Sequence, residues 1–287
     1  MDADALVIVV CHSSDHERWL SERRKIVTAS DAAAILGVGY QSALTAYMRK
    51  LGLEPELAQS EAMQRGTDAE PMIMAGYARA TGRDVRRDGR LCIHDTMPWL
   101  GATFDARTRL DGDADWMPLE LKWTRRSQDW DHGVPERIMP QLQVQMLVWG
   151  CSRASVAVEF ALGGSRWIDV GMDYDMCRQI ILYGEDFMRR LRDEDPPPPD
   201  GSSSASKSLS MRASTEDTAA LTSDHVLMDM RIAEIDEMVK ELRLEGVGLK
   251  NTIKHALGGA ECGILPGGGK WKWATSKSGV RSFRRTR

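Results

Sequence analysis

The chain has 287 residues, of which 42% are hydrophobic and 28% charged, and its formal net charge is −4. That length allows one substantial domain with an appendage, and the composition is that of a globular chain with a core of its own. A negative net charge excludes a surface coated in basic residues, but leaves room for a local basic groove, because nucleic-acid affinity depends on where the charge sits.

Five scattered cysteines (Cys11, Cys92, Cys151, Cys177, Cys262) form no C-x-x-C pair, so neither a disulfide framework nor a zinc or iron–sulfur site is expected. No apolar run approaches the roughly 18 residues of a membrane span. The run from Ala5 to Cys11 follows Asp2 and Asp4 rather than a basic start, and reads as a short strand or a loosely held terminus rather than a signal peptide.

Trp19 to Ser30 reads as a helical turn followed by an extended stretch, with Arg23, Arg24 and Lys25 clustered. Ser30 is a candidate N-cap for a small-residue helix over Ala32–Leu36, and the amides of such a helix start also bind phosphate. Helices are expected over Ser42–Leu51 and Gly66–Thr81, stopped by Gly52 and Gly82. Glu70, just before Pro71, then falls in a first turn, where the helix dipole favours an acid and a structural role suffices. The arginines at 79, 83, 86, 87 and 90 make a dense basic stretch, either a solvated face or a track for a DNA backbone.

Leu91–His94, Leu100–Asp105 and Trp116–Trp123 read as successive antiparallel strands of one sheet. Asp111-Gly112-Asp113 forms the turn before the last strand rather than a calcium loop. Alternation along the last strand puts Glu120 and Lys122 on one face and Leu119 and Leu121 on the other. With Asp105 at the end of the preceding strand, two carboxylates and an ammonium meet, a set suited to a divalent cation and phosphodiester chemistry. Pro140–Gly150 reads as an amphipathic helix carrying Gln141, Gln143 and Gln145. Two strands around Gly163-Gly164 and a long helix over Asp173–Leu191 follow.

Pro196–Pro199 and Ser202–Ser204 read as a linker. Beyond it, Met228, Ile232, Ile235, Val239, Leu242, Gly246, Leu249 and Ile253 keep a 4-3 spacing, one apolar seam on a single helix or on a pair of helices broken at Gly246 and Gly248. Gly267–Arg287 reads as a hairpin with seven basic and no acidic residues, interleaved with Trp271 and Trp273, a composition suited to a nucleic-acid backbone and its bases. Gly267-Gly268-Gly269-Lys270 is not a P-loop, because Ile264 and Trp271 stand where Gly and Ser/Thr are needed. His12 and His16 have helical ligand spacing but no third partner.

Five motifs in order carry a resemblance: Trp19 and Arg23 before Thr28-Ala29-Ser30, Gly66 to Glu70-Pro71, Asp105, Glu120-Leu121-Lys122, and the helix from Gln141. Over Trp19–Leu191 the chain resembles the YqaJ-type viral recombinases, relatives of lambda-phage exonuclease within the PD-(D/E)xK nucleases. The resemblance implies an α/β (α+β) restriction-endonuclease-like core, a central mixed sheet flanked by helices. It divides the chain into an N-terminal segment 1–14, a nuclease domain 15–192, a linker 193–223, and a helical arm with a basic hairpin 224–287. Phe104 replaces the family's proline.

By the same resemblance Glu70, Asp105, Glu120 and the Leu121 carbonyl hold two Mg2+ ions, or Mn2+ in their place. Lys122 and Gln141 activate and position water, and Arg23, Ser30 and Trp19 grip a 5′-phosphate. The implied function is a 5′ to 3′ exonuclease on linear duplex DNA, a trimer working with a single-strand annealing protein in the cytoplasm of a phage's bacterial host. An endonuclease on the same core, or a non-catalytic DNA-binding adaptor using the C-terminal hairpin, remains open.

Overall fold

The computed structural model describes residues 7–54, 61–109, 115–211, 217–276 and 279–286; the expected turn at Asp111–Asp113 lies outside them. The chain divides into two compact units, Met1–Ala213 and Ser214–Arg287.

The first unit begins with β1 (Ile8–His12), α1 (His16–Arg24), β2 (Val27–Thr28), α2 (Ala29–Ile35), α3 (Ala43–Lys50) and α4 (Glu61–Thr81). Strands β3 (Asp84–Arg87), β4 (Arg90–Ile93), β5 (Leu100–Thr103), β6 (Ala106–Arg109) and β7 (Met117–Thr124) follow. Then come α5 (Met139–Trp149), β8 (Arg153–Phe160), β9 (Ser165–Gly171), α6 (Tyr174–Asp193) and α7 (Ser203–Ser210).

These strands make two sheets, ordered β1-β4-β5-β2 and β3-β6-β7-β8-β9. The single sheet expected around Leu91–Trp123 is therefore divided: β4 and β5 belong to the first, β6 and β7 to the second. The chain crosses between them at Phe104-Asp105. Phe104 is buried edge-on against Trp149, 4.9 Å between ring centroids, and anchors the crossover. The tight turn from β3 to β4 braces it, with the Asp88 and Gly89 amides donating to the carbonyls of Asp105 (3.0 Å) and Phe104 (2.8 Å). Gly89 holds φ +109°, and a Cβ there would lie 2.7 Å from the His12 ring.

α5 is the hub. Its residues join Phe104, Val27 and the α6 side chains Ile180 and Phe187 in one core cluster, and Val156, Val158 and Trp130 in another. Buried on nearly all sides, it is not the amphipathic helix expected; a helix enclosed by other elements needs no polar face. On the other side of β7, Ile73 and Tyr77 of α4 cover Leu119 and Leu121.

Two helix starts differ from expectation. α2 is capped at Thr28, whose amide and hydroxyl both donate to Asp31 (2.8 and 2.6 Å), so Ser30 lies inside the first turn. α4 begins at Glu61, so Glu70 is mid-helix and the dipole account of it fails. The serine-rich segment expected as linker contains α7, which docks on α3. The Ser204 hydroxyl accepts from the Ser42 amide at 2.8 Å, and Ser208 meets Thr45 at 2.8 Å. Small hydroxyl side chains let the two helices approach closely and bond to each other, which composition alone had hidden.

In the second unit α8 (Ser223–Leu257) runs unbroken through Gly246 and Gly248 and buries none of its residues. Each glycine costs only about 1 kcal/mol in a helix, too little to end one of 35 residues. The expected hairpin is formed by β11 (Lys270–Thr275) and β12 (Arg281–Thr286), and β10 (Cys262–Ile264) adds a third strand beside β11. Among the described residues no helix is long and apolar enough to cross a membrane.

Candidate active site

β7 delivers Glu120 and Lys122 to the face covered by α5. Glu120 is 2% exposed, and both of its carboxylate oxygens are engaged. Oε1 accepts from Lys122 Nζ (2.5 Å) and Gln141 Nε2 (2.7 Å), while Oε2 accepts from Gln145 Nε2 (2.6 Å). Gln141 Oε1 in turn accepts from Lys122 at 3.3 Å. Gln141 and Gln145 are one helical turn apart and so share a face of α5. Gln143 points elsewhere and bridges the Gly171 carbonyl and the Asp173 amide at the start of α6.

Gln145 is the residue that sequence reasoning left without a role. Its signal was the i+4 spacing from Gln141. Its Oε1 is buried without a partner, a cost tolerated while its amide nitrogen holds a buried carboxylate.

Asp105, leaving the crossover, accepts from the Leu121 amide at 3.0 Å. Burial, then the charge of Glu120, pushes its carboxyl up to about 8, against the pull of Lys122 and the Leu121 amide. Burial also raises Glu70, with Glu120 adding to it and Arg87 opposing. For Lys122, burial acts to lower the ammonium, but the charges of Glu120 and Asp105 outweigh it and hold the group above its ordinary value. The site therefore sets three carboxyl groups against one lysine, with Arg87 beside Glu70.

That excess of carboxyl groups is the test of whether a divalent cation fits, and the donor set passes it. Glu70 and Asp105, whose carboxyls are held up by burial and by the Glu120 charge, are groups whose ionisation a hard cation would favour. Their present partners are other protein groups: Glu70 faces Arg87 at 2.9 Å. Among the described residues no three His, Cys, Asp or Glu side chains are gathered into a ready metal-binding group. The Arg87 side chain is 61% exposed, so releasing Glu70 from it costs about 1 kcal/mol or less.

A second group forms beside β2. Arg23 stacks over Trp19, 4.2 Å from the ring centroid, and donates to the Ser30 hydroxyl at 2.7 Å. The Trp19 indole donates to Thr103 at 2.9 Å. Thr103 ends β5 two residues before Asp105, so one short segment bears on both groups. Asp31 pairs with Lys50 at 2.6 Å behind Ser30; burial works to raise its carboxyl, but Lys50 and Thr28 hold it below the usual range.

The basic stretch from Arg79 to Arg90 is less available than its sequence suggests. Arg83 forks onto Asp169, Arg87 meets Glu70, Arg90 meets Asp88, and Arg86 lies 4.7 Å from the Trp116 ring. His12 bonds to Ser14 and to the Asp88 carbonyl, and His16 stacks on Trp19.

Residues 18–152 match the family described as the YqaJ-like viral recombinase domain, a span that includes both groups of side chains. Over that span the chain is similar to this family. The chain is also similar to the uncharacterized protein YqaJ of Bacillus subtilis (strain 168), 27% identical over 258 residues, covering 87% of this chain and 80% of that one. Among solved structures, the chain resembles LHK-Exo, an alkaline exonuclease from Laribacter hongkongensis, in two crystal structures. TM-scores are 0.53 for its complex with dAMP and 0.52 for the other, at 23% identity, over 62% of this chain and 94% of that one. This likeness establishes the fold, a mixed α/β core shared with LHK-Exo.

Proposed function

We propose that the protein is a divalent-metal-dependent deoxyribonuclease that digests linear duplex DNA from its 5′ ends and leaves 3′ single-stranded overhangs. The observation that carries this is that Glu120 and Lys122 share one face of β7 under the paired glutamines of α5, with Asp105 bonded to the Leu121 amide between them. It is supported by the Arg23–Ser30–Trp19 group, tied to the same crossover.

Glu70, Asp105, Glu120 and the Leu121 carbonyl would hold Mg2+ or Mn2+. When bound, such a cation supplies Lewis-acid polarisation of the phosphate and lowers the pKa of water. Lys122, protonated and hydrogen-bonded to Glu120 and Gln141, orients the attacking water and balances charge at the phosphate. Gln141 fixes both Lys122 and Glu120 through its two amide ends. Arg23 and Ser30 present a guanidinium and a hydroxyl to a terminal phosphate, with Trp19 fixing the plane of the guanidinium. The overhangs would serve a single-strand annealing protein in phage-type recombination in a bacterial cytoplasm, with the nuclease working as a homo-oligomer such as a trimer.

The test is digestion of linear and closed circular duplexes with Mg2+, Mn2+ or EDTA. Loss of linear DNA only, faster from 5′-phosphorylated ends and abolished by Lys122→Ala, is expected. Undiminished digestion by Lys122→Ala refutes the site, and cleavage of closed circles refutes the exonuclease assignment.

A further inference from the structure

The C-terminal sheet separates what its sequence interleaves. β11 and β12 are antiparallel, with Lys272 opposite Arg284 and Trp273 opposite Phe283. Side chains alternate across a strand, so Lys270, Lys272 and Arg284 share one face, while Trp271, Trp273 and Phe283 share the other. The aromatic face is occupied from within its own unit. Trp271 stacks on Phe283 at 4.6 Å, Phe283 meets Trp273 edge-on, and Lys254 of α8 lies 5.3 Å from the Phe283 ring. Arg281 is spent there too, 3.6 Å from the Trp273 ring centroid and donating to the Trp273 carbonyl. The rings are consumed in holding the sheet together, so the base-stacking use that the sequence suggested is not open to them.

The basic face is the opposite case. Lys270, Lys272 and Arg284 are exposed, and among the described residues none of them has an acidic partner. The nuclease unit differs, since most of its arginines in the stretch from 83 to 90 are paired with Glu70, Asp88 or Asp169. No acid occurs from Cys262 to Arg287 in a chain whose net charge is −4. The hydroxyl of Ser282 lies on the same face, a further donor for phosphate oxygens, while that of Thr286 donates to the Lys270 carbonyl.

We infer that this face is a second nucleic-acid site, separate from the cleavage centre, which holds the phosphate backbone of duplex DNA without reading its bases. Backbone binding of this kind releases condensed counterions, so it has a measurable signature. Each phosphate contact adds about 0.9 to the slope of log affinity against log salt on duplex, and about 0.7 on a single strand.

The experiment uses the full chain in EDTA, where cutting is not required, with a labelled blunt duplex titrated between 50 and 200 mM salt. Lys270→Ala/Lys272→Ala/Arg284→Ala should flatten the duplex slope by about 2.7, which over that fourfold range removes about 40-fold of salt sensitivity. Lys270→Arg/Lys272→Arg should keep the original slope, because phosphate asks for charge, and this also shows that the sheet tolerates substitution. Lys240→Ala, removing a lysine of α8 that is paired with Glu237, should leave the slope unchanged. The same titration on a single strand distinguishes the two sources of backbone. A loss confined to the single strand, or an unchanged duplex slope in the folded triple variant, overturns the proposal. The assay reads binding alone, so its failure leaves the nuclease reading standing, and an inactive nuclease would leave this result standing.

Discussion

Replacing Gln145 by methionine should uncouple activity from stability. The two side chains are close in volume and equally unbranched, so α5 keeps its packing, and only the amide is lost. Two effects on stability oppose each other. Glu120 loses the 2.6 Å hydrogen bond on Oε2, while the unpaired buried Oε1 of Gln145 disappears with the amide. Each is worth about 1–3 kcal/mol, so the unfolding midpoint should move little. Activity has no such offset. A hydrogen bond to a charged group contributes about 1.5–3 kcal/mol. If it serves to aim Glu120, the loss appears as a roughly 10- to 150-fold fall in kcat. KM should stay put, since Gln145 is buried and touches no part of the DNA path. Gln143→Met is the control. It removes the bridge between Gly171 and Asp173, far from Glu120 in bonding terms, and should lower the unfolding midpoint while the folded fraction cuts normally. Initial rates on a linear duplex, set beside urea melts of both variants, give the answer. Full activity in folded Gln145→Met, or an equal fall in kcat for Gln143→Met, would refute the assignment of Gln145 as a positioning residue.

Asp31→Asn should destabilise the first unit by about 1–3 kcal/mol at pH 7, because Lys50 loses its 2.6 Å carboxylate partner and keeps the Arg23 carbonyl. The carboxyl is held below its usual range, so its contribution is full above about pH 4 and drains as pH falls through the lowered value. Urea melts of variant and unmutated protein should therefore converge in acid, and a gap constant down to pH 2 would contradict the pairing. Arg23→Lys keeps the charge but loses the planar stack on Trp19. It should cut the preference for 5′-phosphorylated over unphosphorylated ends by about tenfold or more, and an unchanged ratio of the two rates would remove Arg23 from that role. Gly89→Ala should cost about 1–3 kcal/mol, because φ +109° is open essentially to glycine alone and the new methyl meets His12. An unmoved urea midpoint would show that this turn is not what braces the crossover.

What could be read from the sequence was whatever depends on neighbours along the chain. Alternation placed Glu120 and Lys122 together and Leu119 and Leu121 opposite them, and the structure agrees. Glycine stops at 82 and 150 ended their helices because a left-handed φ is a local property. What could not be read depends on partners distant in sequence. No local pattern says that α5 is enclosed on every side, so its glutamines looked like the polar stripe of an amphipathic helix. Only the packing shows that Gln143 is a brace and Gln145 a carboxylate donor. The arginines from 79 to 90 looked like a solvated face or a DNA track because the acids that pair Arg87 and Arg83, Glu70 and Asp169, come from a helix and a strand elsewhere in the chain. The serine segment looked like a linker because its bonds run to α3, more than 150 residues away.

The crossover at Phe104-Asp105 shows why these distant partners matter to function. Read locally it was the end of one strand, and its phenylalanine was a departure from a family motif. In three dimensions it is the only stretch between β5, whose last residue holds Trp19, and β6, which pairs with the strand carrying Glu120. A buried aromatic ring, fixed against Trp149, sets the position of Thr103 on one side and Asp105 on the other. A proline would stiffen that bend by restricting φ; Phe104 stiffens it by burial instead. The group proposed to grip the DNA end and the group proposed to cut it are therefore held in register by one side chain. Shrinking that side chain should disturb end preference and cleavage together, whereas changes at Arg23 or Gln145 should disturb only one of them.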